Sequence, residues 1–176
     1  MKKQIRNNVF ETNSSSSHSL SIPFKEDLGK YDDHVFNNEI VYFGEFGWEE
    51  ETFYTPYEKL QYLITAVQYF DKPWQSDENY WDHPQEVLAE KYNQWINSSK
   101  YFKWIKEMLF DFNGSTIDIQ IDEYEKWNTL GYIDHQSSYL LEEENIWSED
   151  EDTFKRNMIE FIFNPEYVLH ADNDNH

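Results

Sequence analysis

Apolar residues along this chain recur with two periods, one of two residues and one near 3.6, and the change of period divides strands from helices. Ile5 to Phe10 and His18 to Ile22 alternate, which predicts two strands bracketing a run of four serines. Glu39 to Phe43 predicts a third strand, closed by Gly44 and Gly47. The period then becomes helical. Thr55 as N-cap, Pro56 at the first helical position and Glu58 at N3 form a capping-box start, and Leu60, Leu63, Ile64, Val67 and Phe70 share one face. A second helix begins at Asp82 or His83 with Pro84 and carries Leu88, Tyr92, Trp95 and Ile96. A third begins near Ser98 or Ser99, buries Tyr101, Ile105, Met108, Leu109 and Phe112, and stops at Asn113-Gly114.

Thr116 to Asp122 alternates strictly and predicts a strand with Ile117, Ile119 and Ile121 buried and one wet face. Tyr132 to Gln136 carries a fainter strand pattern. Ser148 as cap with Glu151 at N3 opens a last helix, whose buried stripe is Phe154, Met158, Phe161 and Ile162. Asn164-Pro165 ends it, and Tyr167 to His170 supplies a closing strand. Strands at both ends around a helical block predict one α+β domain over residues 1–176. Its mixed or antiparallel sheet is built from the N- and C-terminal strands, the N-terminal strand shares a sheet with Thr116 to Asp122, and residues 171–176 form a frayed tail.

Composition changes this picture in three ways. Seven tryptophans, thirteen tyrosines and thirteen phenylalanines make the core one of large rings, with some left over for interfaces. The absence of cysteine excludes disulfides and thiolate metal sites. Lys2, Lys3 and Arg6 are followed by no apolar h-region, and no run approaches the ~20 apolar residues of a membrane span. A cytoplasmic protein with no membrane partner is expected.

Charge is the strongest global signal. Fourteen Lys and Arg against 35 Asp and Glu give −21, which repels phosphates and argues against nonspecific binding to nucleic acid. That charge either keeps an aromatic-rich chain soluble or meets a basic partner, including a protein surface built for nucleic acid. Glu142, Glu143, Glu144, Glu149, Asp150, Glu151 and Asp152 crowd around Ile146 and Trp147. Carboxylates beside an aromatic ring are suited to a Lys/Arg groove, so Glu142, Glu143, Glu144, Trp147, Glu149, Asp150 and Asp152 are the candidate partner-binding residues. Glu149 to Asp152 also favour the dipole of the last helix.

Candidate chemistry gathers in three polar motifs: Glu11 to Ser19, Ile133 to Ser137, and Leu169 to Asn175. Hydroxyls, amides, carboxylates and imidazoles in such loops either hold a polar ligand or cap turns. If the first and last strands share a sheet, these ends converge, and Asn13, Ser15, His18, His135 and Asp172 become candidate catalytic residues. Arg6 and His18 form a candidate anion site beside the serine run. No recognised metal-ligand spacing, no Gly-x-Ser-x-Gly turn and no cofactor motif is present.

The segment Arg6 to Leu20, with Val9-Phe10-Glu11-Thr12-Asn13-Ser14-Ser15-Ser16-Ser17-His18-Ser19 at its centre, resembles the opening of a family of proteins from phages and mobile elements of Gram-positive bacteria. The resemblance covers about the first twenty residues, with a fainter echo in Asn164-Pro165 and the Asp172 to Asn175 tail. It implies a viral or mobile-element origin and carries no catalytic residue. By analogy with small acidic phage proteins, anti-CRISPR proteins among them, it suggests action against host defence in the host cytoplasm. The expected function is therefore an acidic inhibitor that binds a nucleic-acid-binding host protein such as an RNA-guided nuclease. The alternative is a small hydrolase or nucleotide-handling enzyme using the serine loop, His135 and the C-terminal tail.

Overall fold

A computed structural model describes residues 16–21, 31–47, 51–71, 85–121, 130–133 and 146–173. The fold is α+β. Its strands are β1 (Ser16–Ser21), β2 (Asn37–Tyr42), β3 (Glu45–Phe46), β4 (Glu51–Phe53), β5 (Thr116–Gln120), β6 (Tyr132–Ile133) and β7 (Val168–Asn173). The described helices are α1 (Pro56–Phe70), α2 (Gln85–Ser98), α3 (Lys100–Asn113) and α4 (Glu151–Phe163). The residues cluster into two compact units, the first Met1–His34, Glu45–Leu60 and Ile133–His176, the second Val35–Gly44 and Gln61–Tyr132.

The first unit is organised by an antiparallel sheet in the order β1-β7-β4. The N- and C-terminal strands thus pair, as the alternating ends predict. Of the two predicted N-terminal strands, Ile5 to Phe10 lies outside the described residues, and β1 pairs with β7 rather than with Thr116 to Asp122, whose strand β5 belongs to another sheet. β7 continues to Asn173, into the stretch whose Asp/Asn composition suggested fraying, because β1 pairs with it as far as Ser16–Asn173, while β4 reaches only Ala171. Ser16 and Ser17 are likewise strand residues rather than loop.

Phe46, Leu60, Phe154, Met158, Phe161, Ile162, Phe163 and Leu169 are buried in this unit. α4 begins two residues later than expected. Its cap is Asp150, whose carboxylate accepts the Thr153 N–H at 3.0 Å, while the Ser148 hydroxyl accepts the Asp150 N–H at 3.1 Å. Asp150 takes the position because an ionised acceptor suits the positive end of the helix better than a hydroxyl. α1 starts as predicted, with the Glu58 carboxylate accepting the Thr55 N–H at 2.9 Å and the Thr55 hydroxyl accepting the Glu58 N–H at 3.3 Å.

The second unit contains a parallel pair, β2 and β5, in a register that runs from Asn37–Thr116 to Tyr42–Gln120. A parallel pair needs a long crossover, and the chain between the two strands supplies it with helices. The register shifts at Asn38, whose φ is +53°, a conformation Asn tolerates better than most residues. Its N–H donates to the Thr116 hydroxyl and its side-chain oxygen accepts from that hydroxyl, each at 3.0 Å. The core is aromatic, as composition predicts: Trp95 and Phe102 lie edge to face at 4.9 Å, and Phe43 touches both at 6.1 Å. α3 ends at Gly114, φ +77°, where the helix needs a left-handed residue. At Gly131, φ +61°, an added Cβ would stand 2.1 Å from the Gly44 carbonyl oxygen, so only glycine fits there.

Candidate functional site

The register of the first unit's sheet settles which polar residues share a row. Ser19, His170 and Thr52 occupy one row across β1, β7 and β4, and Ser17 stands opposite Asp172 two steps along. Rows two apart belong to the same face of a sheet. One face therefore carries the positions of Ser17, Ser19, Ser21, Thr52, His170 and Asp172. The intervening rows hold Leu20, Leu169 and Phe53, with Leu169 fully buried. Half-buried Thr52 and His170 meet directly, the Thr52 Oγ1 lying 3.0 Å from His170 Nδ1.

The register separates two of the candidate residues. His18 falls in the intervening row with Ala171 and Glu51, so the sheet does not bring the His18 and Asp172 positions to one face. His170 and the serines at 17, 19 and 21, which share the other face, were not among the candidate residues. The pattern is visible in the period-two repeats Ser17-x-Ser19-x-Ser21 and His170-x-Asp172, although the predicted strand began only at His18. Arg6, Asn13, Ser15 and His135 lie outside the described residues.

Of the acidic candidates, Glu149, Asp150 and Asp152 are exposed, as is Glu151, while Glu142, Glu143 and Glu144 lie outside the described residues. The hydrogen bond from the Thr153 backbone N–H lowers the Asp150 pKa, favouring the ionised cap. Trp147 is half-buried, its ring set edge-on against Phe154 at 5.1 Å. It serves as packing for the helix start first and as surface second.

A different charged group is deeply buried in the same unit. Lys59 is 1% exposed, and its Nζ donates to the carbonyl oxygens of Asn164 at 3.1 Å and Tyr167 at 3.4 Å. Burial lowers its pKa to about 8, against the opposing pull of Asp32 and Glu58. Lys59 ties α1 to the turn between α4 and β7, where the Asp32 N–H also donates to the Phe163 carbonyl at 2.7 Å.

The second unit carries an open polar cleft of about 280 Å³, lined by Asn93, Ile96 and Asn97 of α2, Lys106 of α3, and Asp118 to Ile121. Lys106 and Asp118 stand 3.9 Å apart, and the Gln120 amide donates to Asp118 at 2.7 Å. Among the described residues, no group of three or more His, Asp and Glu is arranged to hold a metal, and no helix is long and apolar enough to cross a membrane. No family model, curated protein or solved structure matches the chain.

Proposed function

We propose that this protein is an acidic interaction protein that occupies the basic surface of a nucleic-acid-binding partner and blocks it. The observation that carries the reading is the net charge of −21 on 176 residues, supported by the run of exposed carboxylates from Glu149 to Asp152 at the start of α4. Phosphate-binding grooves present Lys and Arg side chains at close spacing, and a run of fixed carboxylates offers them an alternative counter-charge. The Arg6 to Leu20 segment, with its resemblance to phage and mobile-element proteins, makes a host defence protein such as an RNA-guided nuclease the proposed target. Competition measures this: the purified chain is titrated into complexes of RNA-guided nucleases with fluorescent target DNA at several salt concentrations. Displacement of DNA that weakens with salt, and weakens at least tenfold when Glu149, Glu151 and Asp152 become Gln, Gln and Asn, is the expected result. Asp150 is left intact because it caps α4. Failure to displace DNA from any of these complexes at low salt removes the reading.

A second reading, a small hydrolase, draws on the contact between Thr52 and His170 in a row with Ser19. A hydroxyl within hydrogen-bond reach of an imidazole is the minimal unit of general-base activation. It is also an ordinary cross-strand pair, and its test belongs to the sheet that builds it.

A further inference from the structure

Asparagine is followed by glycine once in this chain, at Asn113-Gly114, where α3 gives way to β5. That pair carries a reaction of its own. The Gly114 backbone nitrogen can attack the Asn113 side-chain amide carbon and close a five-membered imide, and glycine leaves the attack unhindered because it has no Cβ. The fold holds both reacting groups. Gly114 N–H donates to the Phe110 carbonyl at 2.9 Å, the bond that closes α3. Asn113 Oδ1 accepts from the Ser115 hydroxyl and, at 3.1 Å, from the Ser115 N–H, which also donates to the Leu109 carbonyl at 3.2 Å. The Ser115 hydroxyl is fixed in turn, being fully buried and accepting the Phe36 N–H at 3.0 Å. Beyond these bonds the site is open. Gly114 is exposed, and a Cβ added to it would meet nothing within 4 Å.

We propose that Asn113-Gly114 is a self-modification site, gated by the hydrogen bonds that close α3. Helix ends are the first part of a helix to open, and opening here frees the Gly114 N–H and the Asn113 amide together. The Gly114 nitrogen then gives its proton to solvent and attacks Asn113 Cγ. An N–C bond forms, the Cγ–Nδ2 bond breaks, and Nδ2 leaves as ammonia with a proton from solvent. Water adds to one of the two imide carbonyls. Opening at Cγ gives aspartate, and opening at the main-chain carbonyl leaves the chain running through Cγ as isoaspartate. The sum is amide plus water to carboxylate plus ammonium. Either product strains the junction. A carboxylate at position 113 meets the negative end of the α3 dipole in a chain already at −21. Isoaspartate also adds a main-chain carbon beside Ser115 and Thr116, which are pinned to Phe36 through the Ser115 hydroxyl and the 2.8 Å bond from Thr116 N–H. The fold therefore delays a change that, once made, weakens it. The inference rests on this junction and is independent of the acidic-surface reading.

The test incubates the full chain at neutral pH and follows position 113 by peptide mapping, with chromatography separating aspartate from isoaspartate. Folded chain should convert about tenfold or more slowly than the same chain unfolded in guanidinium. Hydrogen exchange at Gly114 N–H gives the opening constant, and the ratio of folded to unfolded conversion rates should match it within about threefold. Ser115→Ala, which removes the hydroxyl tying Asn113 to Phe36, should raise conversion and exchange together by about fivefold or more. Asn113→Gln should abolish conversion at this position, because its longer side chain closes a six-membered ring far more slowly. The purified isoaspartate form should melt about 4 °C or more below the unmodified chain. Folded conversion as fast as unfolded, no conversion in guanidinium, or a rate that ignores Gly114 exchange would overturn the inference. So would slower conversion in Ser115→Ala, or an isoaspartate form that melts with the wild type. The comparison of conversion with exchange uses the wild type alone and decides the matter even if Ser115→Ala does not fold.

Discussion

Lys59 shows how one residue couples packing to solution conditions. Its neighbours are two backbone carbonyls, from Asn164 and Tyr167, and two carboxylates that act at longer range, Asp32 and Glu58. Burial dominates and the folded chain releases the proton near pH 8, whereas an unfolded lysine holds it until about 10.5. Between these values the unfolded chain binds more protons than the folded one, so stability rises with pH across that window. Below pH 8 the penalty is fully present, about 3 kcal/mol at ~1.4 kcal/mol for each pH unit between the two values. Chemical denaturation at pH 7.5, 8.5 and 9.5 should therefore show the wild type gaining stability, and Lys59→Met should flatten that slope. Tyr31 acts in the opposite sense at higher pH. Its hydroxyl donates to Glu160, which raises its pKa to about 12, so the stability it contributes is present below pH 10 and lost as pH rises towards 12. A Lys59→Met slope equal to the wild type's between pH 8 and 9.5 would show that the ammonium is not buried in solution. Nothing in the local sequence around Lys59 announces this role, because its acceptors lie more than a hundred residues away.

At the scale of elements, what was legible in the sequence follows the range of the forces involved. Helix starts and stops are written within four residues of themselves, and Thr55-Pro56-Tyr57-Glu58 and Asn113-Gly114 were read correctly for that reason. Strand existence was legible from alternation, but strand partners were not. Thr116 to Gln120 has the pattern of a half-wet antiparallel strand, yet it pairs in parallel with β2, a choice set by the helices between them. The polar face of the β1-β7-β4 sheet was half legible: convergence of the two chain ends was expected, and the row containing Ser19, His170 and Thr52 was not. If that row has hydrolytic function, full-length chain should hydrolyse p-nitrophenyl esters above background. His170→Ala should remove at least 90% of that activity, and Thr52→Val should separate the hydroxyl of β4 from the serines of β1. Background rates in the wild type, or activity that survives His170→Ala, would leave Thr52 and His170 as a cross-strand pair that stabilises the sheet.

For the whole molecule, charge sets two opposite responses to salt, and together they distinguish a binding surface from a solubility device. A net charge of −21 repels itself in the compact state, and added salt screens that repulsion. The ion pairs Lys103–Glu107, Lys106–Asp118 and Lys155–Glu151 are each formed by side chains at least partly open to solvent, so screening them costs little. Raising sodium chloride from 20 to 300 mM should therefore raise the melting temperature, by about 2–4 °C for each kcal/mol of repulsion relieved. Replacing Glu149, Glu151 and Asp152 by Gln, Gln and Asn should shrink that rise and lift the low-salt melting temperature, since exposed like charges at a helix start cost more together than the dipole returns. Binding to a basic partner should move the other way and weaken over the same range of salt. A chain whose stability rises with salt while its binding is unmoved would carry its carboxylates for solubility. A chain whose binding falls as its stability rises uses the same carboxylates twice, tolerating their repulsion when free because the partner's Lys and Arg relieve it when bound.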